Sequence, residues 1–190
     1  MQPIEFVGFA ADCTISGKLT MFGDRLTDFL NGQERFRVHH LEFESLEDGH
    51  TVALDSISIE RTDLLAVVGT GPRGDEKRRV PLEANRIHVS IGPYLILGRL
   101  HAEPGSDPVE SILHRDPMLP LTDATIAYEV AGTIVARDIS TIIVNRPLVD
   151  WISPTTDAAT LFPEIPVRSP FANRLQKDMT GGPSATGLPA

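Results

Sequence analysis

The feature that most constrains the fold of this chain is an internal repeat, in which one pattern of glycine, helix and strand occurs twice. Residues 15–68 share the pattern with residues 96–152. The repeat begins at residues 15–19 (ISGKL), which correspond to residues 96–100 (ILGRL). A repeat has to be recognised first, because it decides which architectures remain open to the rest of the sequence. We therefore expect two similar structural units.

The correspondence continues along the chain, and the separation between equivalent positions grows in two small steps. Each step adds two residues, and each falls where a loop is expected. This pattern indicates one unit that was copied and then lengthened in its loops. The equivalent pairs are Gly17 with Gly98, Phe29 with Ile112, Val38 with Leu121, and Arg61 with Arg146.

Each copy contains an apolar triplet with helical spacing. Positions i, i+3 and i+4 lie on one face of a helix, so we expect both triplets to pack on a core. The triplets are Leu26, Phe29 and Leu30 in the first copy and Val109, Ile112 and Leu113 in the second.

Both helices also carry terminal signals. Asp107 and Pro108 predict a helix start, because a capping carboxylate precedes a proline in the first turn, and Glu110 suits the positive helix end. In the first copy, Asn31 and Gly32 predict a helix end at which the glycine adopts a left-handed conformation.

The strand that follows each helix changes phase along its length. In the first copy Phe36 and Val38 alternate and then give way to Leu41 and Phe43, and the second copy shows the same slip. Such a slip needs a bulge or a sharp bend to keep later side chains on the correct face. Because bent strands allow a small sheet to close on itself, we expect a mainly β fold with short helices, built as two tandem small β-barrels.

The expected domain organisation has four parts. These are a first barrel at residues 1–70, a connector at 71–83, a second barrel at 84–153, and an extended tail at 154–190 that contains proline and glycine. The tail lacks sustained periodicity, so it is not expected to form a domain. Its apolar residues are typical of docking anchors, either for the second barrel of the same chain or for a partner. The anchors are Leu161, Phe162, Ile165, Val167 and Phe171.

Composition limits the cellular setting. The chain has 190 residues, of which 41% are hydrophobic, and this is enough apolar material for one or two compact domains. No run approaches the roughly 20 apolar residues of a membrane helix, and the first residues lack the pattern of a signal peptide. The single Cys13 excludes an internal disulfide bond. We therefore expect a cytoplasmic protein without membrane insertion.

The charge balance argues against nucleic acid as the main partner. The net charge is −9, whereas phosphate binding depends on clustered Lys and Arg. Residues 77–79 (KRR) follow an acidic pair at 75–76, which is typical of a solvated loop. Residues 69–74 (GTGPRG) match a dinucleotide fingerprint, but Pro72 stands where a helix would have to begin, so a turn is favoured.

The sequence contains no recognisable catalytic or cofactor constellation. His39 and His40 are adjacent, so on a regular strand their side chains point to opposite faces and share a metal only if a bulge intervenes. Their counterparts in the second copy are Thr122 and Asp123. We therefore predict no catalytic residues, no metal and no cofactor. A metal-dependent enzyme at His39 and His40 remains an alternative.

Four short motifs carry a resemblance to a known family. They are D-F-L-N at 28–31, G-R-L-H at 98–101, L-T-D-A at 121–124 and V-N-R at 144–146. Together they resemble an uncharacterised bacterial domain family whose members read G-[RK]-[LV]-H, D-[FY]-L-N, L-T-D-A and V-N-R. The order of a glycine-bearing strand, a bent strand and a late strand is also similar, more distantly, to Sm-like small barrels.

The Sm-like resemblance carries an expectation about RNA. Sm-like proteins bind RNA with an Asn-bearing loop and an Arg-Gly pair. In this chain Arg61 is followed by Thr62, and Arg146 is followed by Pro147, so neither copy supplies the glycine. The resemblance therefore implies the barrel more strongly than the RNA binding.

The repeat, the missing catalytic sets and the apolar anchors favour a non-catalytic interaction or scaffold protein. We expect an accessory or structural subunit of a larger bacterial assembly with protein partners, and a homo-oligomer is one form that such an assembly can take. A small-ligand or nucleic-acid binding regulator of Sm-like type is the alternative from a second class.

Overall fold

Apolar residues that alternate with polar ones place most of the chain in β-strands, as expected for side chains that alternate between two faces. The computed structural model of the protein describes residues 2–23, 25–71, 81–155 and 167–168. We call residues 2–71 the first half and residues 81–155 the second half. The strands of the first half are β1 (Gln2–Phe9), β2 (Cys13–Met21), β3 (Arg35–Ser45), β4 (Thr51–Glu60) and β5 (Ala66–Val68). Those of the second half are β6 (Glu83–Ile91), β7 (Tyr94–Ala102), β8 (Met118–Val130), β9 (Thr133–Asn145) and β10 (Trp151–Pro154).

Short helical segments connect some of these strands. Helix α1 (Leu26–Gly32) lies between β2 and β3, and helix α2 (Pro108–Ile112) lies between β7 and β8. A 3₁₀ turn at Arg61–Asp63 precedes β5, and another at Arg146–Leu148 precedes β10. The prediction of a mainly β fold with short helices is confirmed.

The described strands form one open sheet. Their order is β10-β6-β7-β8-β9-β5-β1-β2-β3-β4, and all neighbours on this path are antiparallel. A short strand β11 (Val167–Arg168) pairs in parallel with β9. The expected closure into two separate barrels is not observed. The reason is that β5 bonds to β1 on one side and to β9 on the other, which joins the two halves edge to edge.

The predicted phase slip is present in both halves. The pairing of β2 with β3 shifts by one residue between Ser16 and Lys18, and the pairing of β7 with β8 shifts between Leu97 and Arg99. His40 and Asp123 take up the extra residue with positive φ angles of 50° and 46°. Two non-glycine residues in this rare conformation, at equivalent positions, mark the same bulge in the two halves.

The two halves also share the register of their other ladders. On the inner ladder, Phe6 faces Gly17 in the first half as Ile87 faces Gly98 in the second. On the outer ladder, Val38 faces Ile57 as Leu121 faces Ile142. The short strand obeys the same rule, since Gly8 faces Val67 as Val89 faces Ile152. Strand β10 in the second half is therefore equivalent to β5 in the first.

The helix predictions have mixed outcomes. The start at Asp107 is confirmed, because its carboxylate accepts hydrogen bonds from the backbone N–H groups of Val109 and Glu110 at 2.8 and 3.3 Å. The left-handed glycine at Gly32 is wrong. Gly32 is the last residue of the helix, and its φ is not positive. The chain becomes extended at the next residue, Gln33.

A side chain replaces the expected glycine cap at the end of α1. The Arg61 guanidinium donates to the backbone oxygens of Leu30 and Asn31 at 3.4 and 3.2 Å. A cation at this position also suits the negative end of the helix. The chain therefore has no need of a left-handed residue to satisfy these carbonyl groups.

The apolar side chains form two cores on either side of β5, and each core includes residues from both halves of the chain. The first core, around Phe6 and Leu30, includes Ile143 of the second half, and the second core, around Tyr94, includes Phe9 of the first half. Within β5, Ala66 packs into the second core and Val67 into the first. Because neighbouring residues of a strand point to opposite faces, one short strand serves as a wall of both cores.

The bulge on β2 gives a stability prediction. A Cβ atom at Gly17 would lie 2.9 Å from the backbone oxygen of His39 and 2.9 Å from Cγ1 of Val38, so Gly17→Ala forces the bulged ladder apart. We expect Gly17→Ala to lower the free energy of unfolding by about 1–3 kcal/mol in urea titrations.

Gly32 provides the matched control for this substitution. A Cβ at Gly32 meets no atom within 4 Å, and the residue is helical, so Gly32→Ala should raise stability by less than about 1 kcal/mol. Equal effects of the two substitutions would contradict the tight contact at the bulge.

Candidate interaction edges of the sheet

The structure describes few of the tail residues that the sequence analysis singled out as docking anchors. Leu161, Phe162, Ile165 and Phe171 lie outside the described residues. Val167 lies in β11, where its backbone faces Ala136 of β9. The hypothesis that these anchors dock a partner stays a prediction.

His39 and His40 lie on the bulge of β3, and both are exposed. His39 faces Lys18 on one side and Ser56 on the other. Within the described ranges, no group of three or more His, Cys, Asp or Glu side chains is placed to hold a metal ion. The bulge that the sequence required is present, but it brings no further ligand to these histidines.

Cys13 opens β2 at the edge of a shallow cleft of about 260 Å³, which Asp12 and His50 also line. Burial raises the pKa of the Cys13 thiol to about 11, and the neighbouring Asp12 adds to the effect. A reactive cysteine requires the opposite shift, because the thiolate is the nucleophile. The cleft is therefore poorly suited to nucleophilic chemistry through Cys13.

The second half contains a buried histidine next to the only tryptophan of the chain. His88 on β6 is buried, and burial lowers its pKa, so the ring is neutral at pH 7. Its ring packs edge-on against Trp151 of β10 with a centroid distance of 4.5 Å. Trp151 is nevertheless 46% exposed, so this contact covers only part of the indole.

The β4 edge (Thr51–Glu60) is the most unusual surface of the described structure. Leu41 faces Leu54 across the β3–β4 ladder, and Val38 faces Ile57. Facing residues lie on the same side of a sheet, and Leu41 and Val38 belong to the first core. Leu54 and Ile57 thus point toward a core and yet are 45% and 38% exposed.

The equivalent strand in the second half is fully covered. Ile139 and Ile142 of β9 occupy the positions of Leu54 and Ile57, and they are 6% and 0% exposed. Unlike β4, β9 has further strand partners: Val68 of β5 pairs with Ile142, and β11 pairs with β9 at Ala136 and Arg137. No strand of the described part of the chain pairs with the outer side of β4.

Comparison of the chain with protein-family models, curated proteins and solved structures found no match. The resemblances noted from the motifs are therefore neither supported nor contradicted. None of the described helices has the length and apolar character needed to cross a membrane.

Sequence reasoning did not single out the β4 edge or Trp151. Val52, Leu54, Ile57 and Ile59 look like ordinary core residues of a strand, and three of them are exposed. The available indication was the repeat expected from the sequence. It assigns these residues to the buried positions of β9, and a mismatch in burial between equivalent positions marks a surface that lacks its cover.

The chemistry of Cys13 yields a prediction that alkylation can test. With a pKa of about 11, the thiolate fraction at pH 8 is about 100-fold lower than for a cysteine with the ordinary pKa of 9.0. We expect the rate of iodoacetamide labelling to rise through pH 10 and to level off only above pH 11.

The denatured chain is the control, because its thiol should label with an inflection near the ordinary pKa. An inflection at the same pH in the folded and the denatured protein would show that Cys13 is not shielded.

Proposed function

We propose that this protein is a non-catalytic scaffold that binds protein partners through the β4 edge, and that its two halves arose by duplication of one unit. The observation that carries the proposal is the exposure of Leu54 and Ile57 on the core-facing side of an edge strand. A strand with unpaired backbone groups and exposed apolar side chains is a template for the addition of another strand.

The length of β4 supports a protein partner. The strand has ten residues, so an added strand gains several backbone hydrogen bonds as well as apolar contacts. Val52 extends the exposed apolar row beyond Leu54, and it too lies opposite a first-core contact, Phe43. Backbone pairing gives affinity in this mode of recognition, and the alternating side chains give specificity.

The duplication proposal is supported by the pairings of the two halves. The bulge, the inner ladder, the outer ladder and the short strand all recur at the equivalent positions that the sequence defines. Random similarity of two β-rich segments would not reproduce the position of a one-residue bulge and its positive φ angle.

The other two classes of function have no comparable observation. A metal enzyme at His39 and His40 lacks a third ligand among the described residues. Arg61, the counterpart of the Sm-like RNA-binding arginine, bonds to the carbonyl end of α1. This contact gives Arg61 a structural role that accounts for its presence in the first half.

The scaffold proposal is tested by capture of partners on tagged protein in extracts of the native cell. Leu54→Lys places a charge on the apolar row of β4, and it should lower the recovery of specific partners at least about tenfold. Because Leu54 is already partly exposed, the substitution should leave the fold intact, which circular dichroism can confirm.

Phe22→Lys is the matched control, since Phe22 is the most exposed large apolar residue described and lies beyond the end of β2. It should retain the partners of the unmodified protein. Equal recovery with both variants, or no specific recovery with any of them, would count against the proposal.

A further inference from the structure

We infer that the occupant of the β4 edge is β10 of a second copy of this chain, so that copies join head to tail. This inference rests on the proposed function of β4 as a binding edge and names its partner. The template is the contact between β5 and β9, which already joins the two halves within one chain.

The internal junction defines the register of the proposed contact. Ala66 faces Val144, and Val67 faces Ile143. The sequence separation between Arg61 and Arg146 relates β5 to β10, and the same separation relates β4 to β9. The same register between two chains places Trp151 of one copy opposite Ile59 of the next.

The backbone of β10 is oriented for this pairing. On the β6 side, the Thr155 N–H donates to the Arg86 oxygen at 3.1 Å, in register with the β10–β6 ladder. Backbone groups of an antiparallel strand alternate between its two sides, so those of Ile152 point away from β6. In β5, the equivalent Val67 faces Ile143 across the junction with β9.

The apolar side chains are complementary across the same register. Trp151 occupies the position of Ala66, which is fully buried in the second core. In the proposed junction Trp151 lies opposite Ile59 and diagonally across from Ile57. Directly opposite and diagonal cross-strand neighbours are in contact when one of them is aromatic. The larger indole can cover the part of the first core that no strand of the described chain covers.

Helix α2 provides a second, independent contact. Leu113, at its C-cap, was expected to face a core but is 67% exposed, whereas its counterpart Leu30 is buried. Helix α1 is buried at this point because it docks on β8 of the other half, where the Asn31 side chain bonds to both backbone groups of Met118. In the proposed contact, Leu113 takes the position relative to β3 of the next copy that Leu30 takes relative to β8 within one chain.

A cleft of about 490 Å³ lies where α2 would dock. Its lining includes Arg35, Glu60 and Arg61, and the first two form an ion pair. Their counterparts in the second half are Met118, Asn145 and Arg146. Met118 and Asn145 take part in the internal junction, where Asn145 donates to the Leu64 oxygen at 2.8 Å. The cleft therefore occupies the place of a filled contact in the other half.

Two differences make the proposed junction weaker than the internal one. Gly69 donates its N–H to the Thr141 oxygen at 2.8 Å, and its counterpart Pro154 has no N–H group. Glu60 replaces Asn145: it cannot donate a hydrogen bond as that amide does, and in the proposed register it faces Asp150, so two carboxylates meet. We therefore expect a reversible association that depends on protein concentration.

The contact uses two different surfaces of the same molecule. Such heterologous contacts form rings when the rotation closes and filaments when it does not. Each copy has one β4 edge and one β10 edge, so a variant that lacks one edge can still use the other.

Trp151 supplies a direct readout, because it is the only tryptophan and lies at the proposed interface. Over about a hundredfold range of concentration, its emission should shift to shorter wavelength as the mass in sedimentation velocity rises. Ile57→Lys, which places a charge opposite β10 in the proposed register, should abolish both changes, although Ile57 lies on the strand at the opposite end of the sheet order. Phe22→Lys should behave like the unmodified protein.

A mixing experiment tests the head-to-tail arrangement. Ile57→Lys blocks the β4 side of the junction, and Trp151→Lys blocks the β10 side, so each variant alone should be monomeric. Mixed, they should form a 1:1 dimer, and the blue-shifted emission should come from the single tryptophan of the Ile57→Lys chain. Leu113→Lys is a second way to block the β10 side, at a residue too exposed to be needed for folding.

The outcomes separate this inference from the proposed function. A purified protein that stays monomeric at all concentrations, while its β4 edge still captures another protein from extracts, would overturn the inference and leave the scaffold in place. Self-association that survives in both Trp151→Lys and Leu113→Lys would indicate pairing of β4 with β4 and would also overturn it. Loss of all capture at β4 would remove both.

Discussion

The architecture depends on the position of β5, a three-residue strand that bonds on both sides. It pairs with β1 of its own half and with β9 of the other half, and its side chains alternate between the two cores. Backbone groups in an interior need partners, so a strand in this position ties the halves more firmly than apolar contact alone. The Tyr94 hydroxyl reinforces the tie, since it donates to the Ala10 oxygen of the first half at 2.7 Å.

This arrangement explains why the halves do not close as separate barrels. A curled sheet closes when its last strand meets its first, but in the second half the outer side of β9 is already paired with β5. The bent strands therefore curve around their cores without completing a ring of hydrogen bonds. Gly17 and Gly98 allow the bend, because a Cβ at either would lie within 3.0 Å of an atom on the neighbouring strand.

Local features of the sequence were predictable because neighbouring residues determine them. The bulge followed from a phase slip that only an extra residue can absorb, and the Asp107 cap followed from a carboxylate directly before Pro108, with Glu110 in the first turn. The junction was not predictable, because Ala66 to Val68 is a short apolar run without a period that reveals its partner. The expected core contact of Leu113 failed for a related reason. The triplet pattern identifies an apolar helix face but not whether the chain itself supplies the surface that covers it.

The charges of the β4 edge bear on which kind of pairing it allows. Isolated sheet edges in proteins are usually protected by lysine, proline or a bulge, and β4 contains neither lysine nor proline. It does contain Asp55 at its centre and Glu60 at its end. Pairing of β4 with β4 around a two-fold axis near the strand centre would bring the two Asp55 carboxylates together, and like charges that face each other destabilise a ladder. Pairing with β10 places Ile152 opposite Ser58 and Trp151 opposite Ile59, and it brings Asp150 opposite Glu60 at the end of β4. The acidic pair of this junction therefore lies at the end of the strand, whereas self-pairing of β4 sets two carboxylates at its centre. Asp55 thus disfavours self-pairing and favours a different strand as the partner of β4.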